Sequence, residues 1–175
     1  MAIAGKIPFA STFAMFATGR AFEIIRNTVA YPSLNVKIAA THAGLTVGED
    51  GASHQAIEDL SLMRSIPNMT VINPADSIES EQAVIKAAEY LGPVYIRLGR
   101  AAVENIYDEN YEFEIGKGVN LRDGKDVTII ATGLMVQKSL KAAEMLEEEG
   151  ISVRVINIHT LKPIDKDIII NCARE

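Results

Sequence analysis

Apolar positions along this chain fall into two kinds of pattern that alternate, and the alternation predicts the fold. Short apolar runs, Ile7 to Ser11, Val36 to Ala40, Met69 to Ile72 and Val94 to Leu98, read as extended segments. Longer stretches between them are predicted helical, Phe13 to Ala30 and His54 to Ile66, the latter with Ile57, Leu60 and Leu62 to Met63 as its apolar positions. A third helix has its start written out in Pro74-Ala75-Asp76-Ser77-Ile78-Glu79, where Asp76 is the N-cap and Glu79 completes a capping box. It runs to about Leu91 and ends at Gly92-Pro93. Short strands alternating with helices imply a mostly parallel sheet covered on both faces.

From Ala101 to Gly124 the rhythm breaks: acidic residues are interleaved with Tyr107, Tyr111 and Phe113 without a helical period, which reads as a linker or edge segment. The β/α rhythm then resumes, with Val127 to Ala131 and Val153 to Ile158 extended, Met135 to Glu149 and Asp165 to Ala173 helical, and Gly150 as a helix stop. The expected organisation is α/β, two successive three-layer units with mostly parallel sheets, over residues 1–100 and 125–175 with 101–124 between them. The second unit is thin for a parallel sheet, which would leave edges and a face uncovered, so the chain is expected to be a fragment at its C-terminal end.

Composition narrows the function classes. A net charge of −6 over 175 residues, with no Lys/Arg block, argues against nucleic acid as a partner. No apolar run approaches the ~20 residues that span a bilayer, and Met1 to Phe9 does not read as a signal segment, so a soluble cytoplasmic protein is expected. The single cysteine, Cys172, excludes an intrachain disulfide and reads as an inert core residue. One cysteine and three separated histidines do not supply the close ligand pairs of a structural zinc site, and no metal site is expected within this chain.

The chemistry concentrates in Thr41-His42-Ala43-Gly44-Leu45-Thr46-Val47-Gly48-Glu49-Asp50-Gly51-Ala52-Ser53-His54-Gln55, a glycine-rich loop holding two of the three histidines. It follows a predicted strand, and in open α/β sheets ligands bind outside the carboxyl ends of strands. From the residues alone, bland readings stay open. Phe13 and Phe16 can be helix core, Asp50 a turn residue, His54 a helix-start residue, Arg100 a surface arginine, and His159 the close of a strand.

This loop, followed by Arg64-Ser65-Ile66-Pro67-Asn68 and Pro74-Ala75-Asp76, resembles the pyrimidine-binding domain of transketolases. Ser11-Thr12-Phe13-Ala14-Met15-Phe16 resembles that family's aromatic wall, and Val94-Tyr95-Ile96-Arg97-Leu98-Gly99-Arg100 its final strand. Asp126-Val127-Thr128-Ile129-Ile130-Ala131-Thr132-Gly133 is similar to the opening of the transketolase C-terminal domain. The resemblance covers essentially the whole chain and is closest to the C-terminal polypeptide of a split transketolase.

The resemblance implies thiamine diphosphate chemistry in carbohydrate metabolism: a two-carbon ketol unit passes from a ketose phosphate to an aldose phosphate, as in the pentose phosphate pathway. It implies that Phe13 and Phe16 pack on the aminopyrimidine ring, though Gly19 stands where many relatives carry a third aromatic. It implies that His42, Asp50 and His54 line the substrate channel, with His54 also relaying a proton, and that Arg100, not its neighbour Arg97, binds the substrate phosphate. Gly48-Glu49-Asp50-Gly51 is not the family's Gly-Asp-Gly magnesium motif, so Mg2+ and the diphosphate are expected on a partner, the N-terminal transketolase subunit. The family's cofactor-activating glutamate lies upstream of the aromatic wall, where only twelve residues, none acidic, precede Phe13. The isolated chain is therefore expected to be inactive and to assemble with its partner and with further copies of itself. The rivals are deoxyxylulose phosphate synthase, which has Arg-Ala-Gly where this chain has Thr-His-Ala-Gly, a ketoacid dehydrogenase β subunit, and a non-catalytic assembly module.

Overall fold

The computed structural model describes residues 1–174 and shows two parallel-rich sheets with helices packed on them. In the first sheet β1 (Phe9–Phe13), β2 (Lys37–Thr41), β4 (Val94–Arg97) and β3 (Thr70–Ile72) are parallel and lie side by side in that order. One face buries Ile38, Val71 and Tyr95 against the helical residues that follow β1 and against Met63 of α2 (Asp59–Ser65) and Ile66 just after it. The other buries Ile72, Val94 and Ile96 against Ala83 and Ala87 of α3 (Ser77–Glu89) and Phe113. The second sheet orders β5 (Val119–Arg122), β7 (Val153–Asn157) and β6 (Val127–Ala131), with β6 parallel and β5 antiparallel to β7. Ala143 of α4 (Leu134–Glu148) packs on Val153 and Val155 there, and α5 (Lys166–Arg174) follows.

Four elements differ from the sequence reading, β5 among them, since it forms within the stretch 101–124 that reads as a linker or edge segment. The long helix predicted from Phe13 begins later and is irregular: π-helical Phe16–Arg20, a single α turn α1 (Phe22–Ile24), and π-helical Ile25–Ala30. The Thr18 hydroxyl donates back to the Ala14 carbonyl at 2.8 Å, a local bond that competes with regular helix, and Gly19 sits within the first wide turn. Phe13 is consequently the last residue of a strand. The helix predicted from His54 starts only at Asp59, because Gly51 at φ 74° and extended Gln55 hold the chain open and Ala56 bridges to Ala43 and Gly44. Finally β8 (Thr160–Lys162), for which the sequence gives no signal, leaves the second unit and pairs antiparallel with β3 on the edge of the first sheet. Cys172, expected in the core, is a free thiol of intermediate exposure on α5, a helix with no fully buried residue.

The start of α3 is capped more elaborately than a capping box. Asp76 Oδ1 accepts from the Glu79 amide at 2.8 Å, while Oδ2 accepts from the Ile106 and Tyr107 amides at 2.7 and 3.0 Å. Glu79, fully buried, reaches the Ala75 amide at 2.6 Å in place of the cap's own, and accepts from the Tyr111 hydroxyl at 2.7 Å and Asn157 Nδ2 at 2.9 Å. Burial pushes its carboxyl above the ordinary range against those hydrogen bonds. At the other end of α3, the buried Lys37 ammonium donates to the carbonyls of Tyr90 (2.7 Å) and Gly92 (2.6 Å), where the helix dipole favours a cation. Desolvation lowers its pKa to about 8.

His159 precedes β8 in full burial, its ring against Phe113 (centroids 4.2 Å apart) and its carbonyl accepting from the Asn73 amide at 2.8 Å. Burial lowers its pKa from 6.5 to about 4. With the folded-state value below the unfolded one, the unfolded chain binds more protons in this window, so stability falls as pH drops from 6.5 towards about 4. Urea denaturation at a series of pH values is expected to show this loss, and a His159→Leu variant is expected to show a shallower slope between pH 7 and 5.

Candidate functional site

Parallel pairing in register sets Phe13, the last residue of β1, opposite Thr41, the last residue of β2. The next residue, His42, takes the left-handed conformation (φ 57°), which turns its ring onto Phe13 with centroids 3.8 Å apart and planes 16° from parallel. Its Nδ1 lies 3.0 Å from Thr41 Oγ1 and its Nε2 3.8 Å from Asp50 Oδ2, within ion-pair reach when the ring is protonated and too long for a hydrogen bond. His54 stands edge-on to both phenylalanines, 5.9 Å from Phe13 and 5.3 Å from Phe16, and its Nδ1 is 3.0 Å from Ser53 Oγ. Phe13 and Phe16 have nearly parallel ring planes (11°) at 6.1 Å, and Phe16 is 40% exposed. The strand end, the wide helical turn and the loop therefore gather Phe13, Phe16, His42, His54 and Asp50 into one aromatic and polar surface.

The loop's ends are fastened, Val47 anchors its centre, and the stretch from Gly48 to Asp50 is open. The Ala43 amide donates to the Leu98 carbonyl at 3.1 Å and the Gly44 amide to Ala56 at 2.9 Å, while Val47 is fully buried. Asp50, in contrast, is exposed. The two arginines near the end of β4 have separate situations. Arg97 Nε and Nη2 donate to Asp59 at 2.7 and 3.3 Å, and Tyr95 donates to the same carboxylate at 2.9 Å. Arg100 is exposed, has no ion pair among the described residues, and lays its guanidinium over Gly48, where a Cβ would sit 2.9 Å from Nη1. Its fork is open to an anion. Sequence reasoning passes over Asp59 and Tyr95; the signal available is an acid among the apolar positions of its helix and a Tyr-x-Arg pair sharing one face of a strand.

Beside the loop a crevice of about 550 Å3 runs between the units, bordered by Gly44, Leu45, Asn73, Arg97, Thr132 and Met135. These residues lie at or just beyond the carboxyl ends of β2, β3, β4 and β6, the position expected of ligand sites in open α/β sheets. Among the described residues no group of three or more His, Cys, Asp or Glu could hold a metal ion, and no helix is long and apolar enough to cross a membrane.

Residues 1–105 match the family model for the transketolase pyrimidine binding domain. The chain belongs to the transketolase family. Residues 116–175 match the transketolase C-terminal domain. The chain is 58% identical over 171 residues to the putative transketolase C-terminal section of Methanocaldococcus jannaschii, covering 97% of this chain and 54% of that protein. It is 41% identical to human transketolase over 170 residues, covering 96% of this chain and 27% of the human one. A solved split gene transketolase, described as an inactive beta4 tetramer, superposes with a TM-score of 0.92 at 59% identity, covering 99% of this chain and 56% of that one. The chain thus spans about half the length of the curated transketolase sections it matches.

Gly48 carries a transketolase loop at φ +69°, a conformation that L side chains adopt at a cost of roughly 1 kcal/mol. Gly48→Ala is expected to lower stability by about that much in thermal unfolding. Adding Arg100→Ala is expected not to recover it, because the exposed guanidinium can swing away from the new methyl group.

Proposed function

We propose that this chain is a section of a split transketolase that transfers a two-carbon ketol unit from a ketose phosphate to an aldose phosphate, supplying the pyrimidine-side wall and the substrate channel. The observation that carries this reading is the ring cluster of Phe13, Phe16, His42 and His54 at the carboxyl ends of β1 and β2, within a pyrimidine-binding-type domain. The residues fit thiamine diphosphate on one side: the half-exposed Phe16 ring beside Phe13 offers an apolar face to a planar heterocycle. When bound, the cofactor supplies the nucleophilic carbon that carries the two-carbon unit. Mg2+ and the diphosphate belong to an N-terminal partner. Two relatives named as single subunits of larger transketolases accord with this, one acting on 6-deoxy-6-sulfo-D-fructose at 44% identity and one on apulose 4-phosphate at 37%.

This chain's own residues bind and orient. Ser53 occupies the Nδ1 side of His54, leaving Nε2 to hydrogen-bond a hydroxyl of the two-carbon unit and to hold or release a proton. Asp50 accepts from a sugar hydroxyl, His42 stands towards the phosphate end, and Arg100 takes the phosphate through its open fork. Location in the cytoplasm and self-association belong to the same reading. A second reading, an assembly module without turnover, is favoured by the solved relative described as an inactive beta4 tetramer.

Titration calorimetry with thiamine diphosphate and Mg2+ separates the possibilities. Binding is expected only when the chain is mixed with an N-terminal transketolase section, and tight binding by the chain alone would overturn the assignment of the diphosphate site. In the full-length protein paired with that partner, His54→Ala is expected to lower kcat by about 10²-fold or more; unchanged turnover would remove His54 from the chemistry.

A further inference from the structure

We infer that Arg97, clamped by the buried carboxylate of Asp59, is the positioning residue that holds His42 in its working orientation; the inference rests on the reading of His42 as a substrate-channel residue. His42 is a non-glycine residue at φ 57°, a strained conformation that persists only where the surroundings over-determine it. The surroundings that do so begin immediately after it. Ala43 is bonded to Leu98 and Gly44 to Ala56, and the face of Gly44 is roofed by Arg97, whose Nη2 lies 3.2 Å from where a Gly44 Cβ would be.

Arg97 is itself held in place by a buried partner. Its Nε and Nη2 grip both oxygens of Asp59, which is 1% exposed and also accepts from the Tyr95 hydroxyl at 2.9 Å. A carboxylate this deep has no water to fall back on, so the pair moves together or not at all. Asp59 opens α2, at the exit of the loop, and Gly44 lies at its entrance. One guanidinium on β4 therefore bears on both ends of the segment that follows His42, while Asp50 and Arg100 stay on its open side. A lysine in its place would keep the charge and lose the planar fork that spans the two ends.

The test reads His42 directly. Its ring protons, stacked 3.8 Å from Phe13, carry a ring-current shift observable by NMR in this chain. In Arg97→Lys and Asp59→Asn the His42 signals are expected to move towards unstacked values. In the full-length protein with its partner, KM for the phosphorylated substrate is expected to rise about tenfold, with a smaller change in kcat. Folded variants with unmoved His42 signals would overturn the inference. Moved signals with unchanged KM would support the clamp and overturn the substrate role of His42, which keeps the two failures apart. If both variants lose the fold, Arg97→Gln decides by the same signals, since it keeps a neutral donor for Asp59 and removes the fork that reaches Gly44; an unmoved His42 there would also overturn the clamp.

Discussion

Two buried carboxylates at the amino end of α3, Asp76 and Glu79, have no ion-pair partner among the described residues and almost no water, so their lone pairs must be met by donors from elsewhere in the chain. A carboxylate left unsatisfied at that depth would cost several kcal/mol. The donors come from the Ile106–Tyr107 backbone, from Tyr111 and from Asn157 of β7. The requirement to satisfy one helix start thereby draws residues 101–124 across the first unit and holds the second sheet against it. With that join made, Asn73 and Thr132, which follow β3 and β6, hydrogen-bond across the boundary, and the crevice between the units acquires fixed walls.

The site is built on the same logic with opposite charge. Two arginines three residues apart could each serve an anion, but the fold assigns them differently. Arg97 is neutralised by Asp59 within the protein and supports the loop from beneath, whereas Arg100 remains uncompensated at the surface among the described residues. Aromatic faces and histidines cluster at the strand ends, where backbone groups leave the sheet and side chains can converge from separate segments. What distinguishes this end of the sheet from the other is also electrostatic. There, Lys37 is consumed internally by the carbonyls at the end of α3 and is withheld from solvent.

Strands β1 to β4, β6 and β7, α3 with its Asp76 cap, and α4 are legible in the sequence because each is specified locally, by an apolar run, a cap or a glycine stop. The loop from Thr41 to Gln55 is legible as a candidate site for the same reason, since its histidines, acids and glycines are contiguous. Features set by distant partners are not. Phe13 reads as helical because nothing local shows that strand pairing with Thr41 wins over the helical run that follows it. Asp59 and Arg97 lie 38 positions apart, and only the fold makes them a pair. Glu79 reads as a cap residue, but its bonds to Tyr111 and Asn157 need tertiary contacts across a segment that reads as a linker.

Strand β8 carries a consequence for the order in which the chain assembles during synthesis. Residues 160–162 must be made before the outer edge of β3 can be closed, so that edge stays unpaired while nearly ninety further residues emerge. Such non-local pairing slows folding and leaves a sticky strand exposed in the interim. A nascent chain halted between the two units would therefore be an aggregation hazard, and the ribosome, by delivering β8 promptly, acts in effect as the guardian of the first sheet.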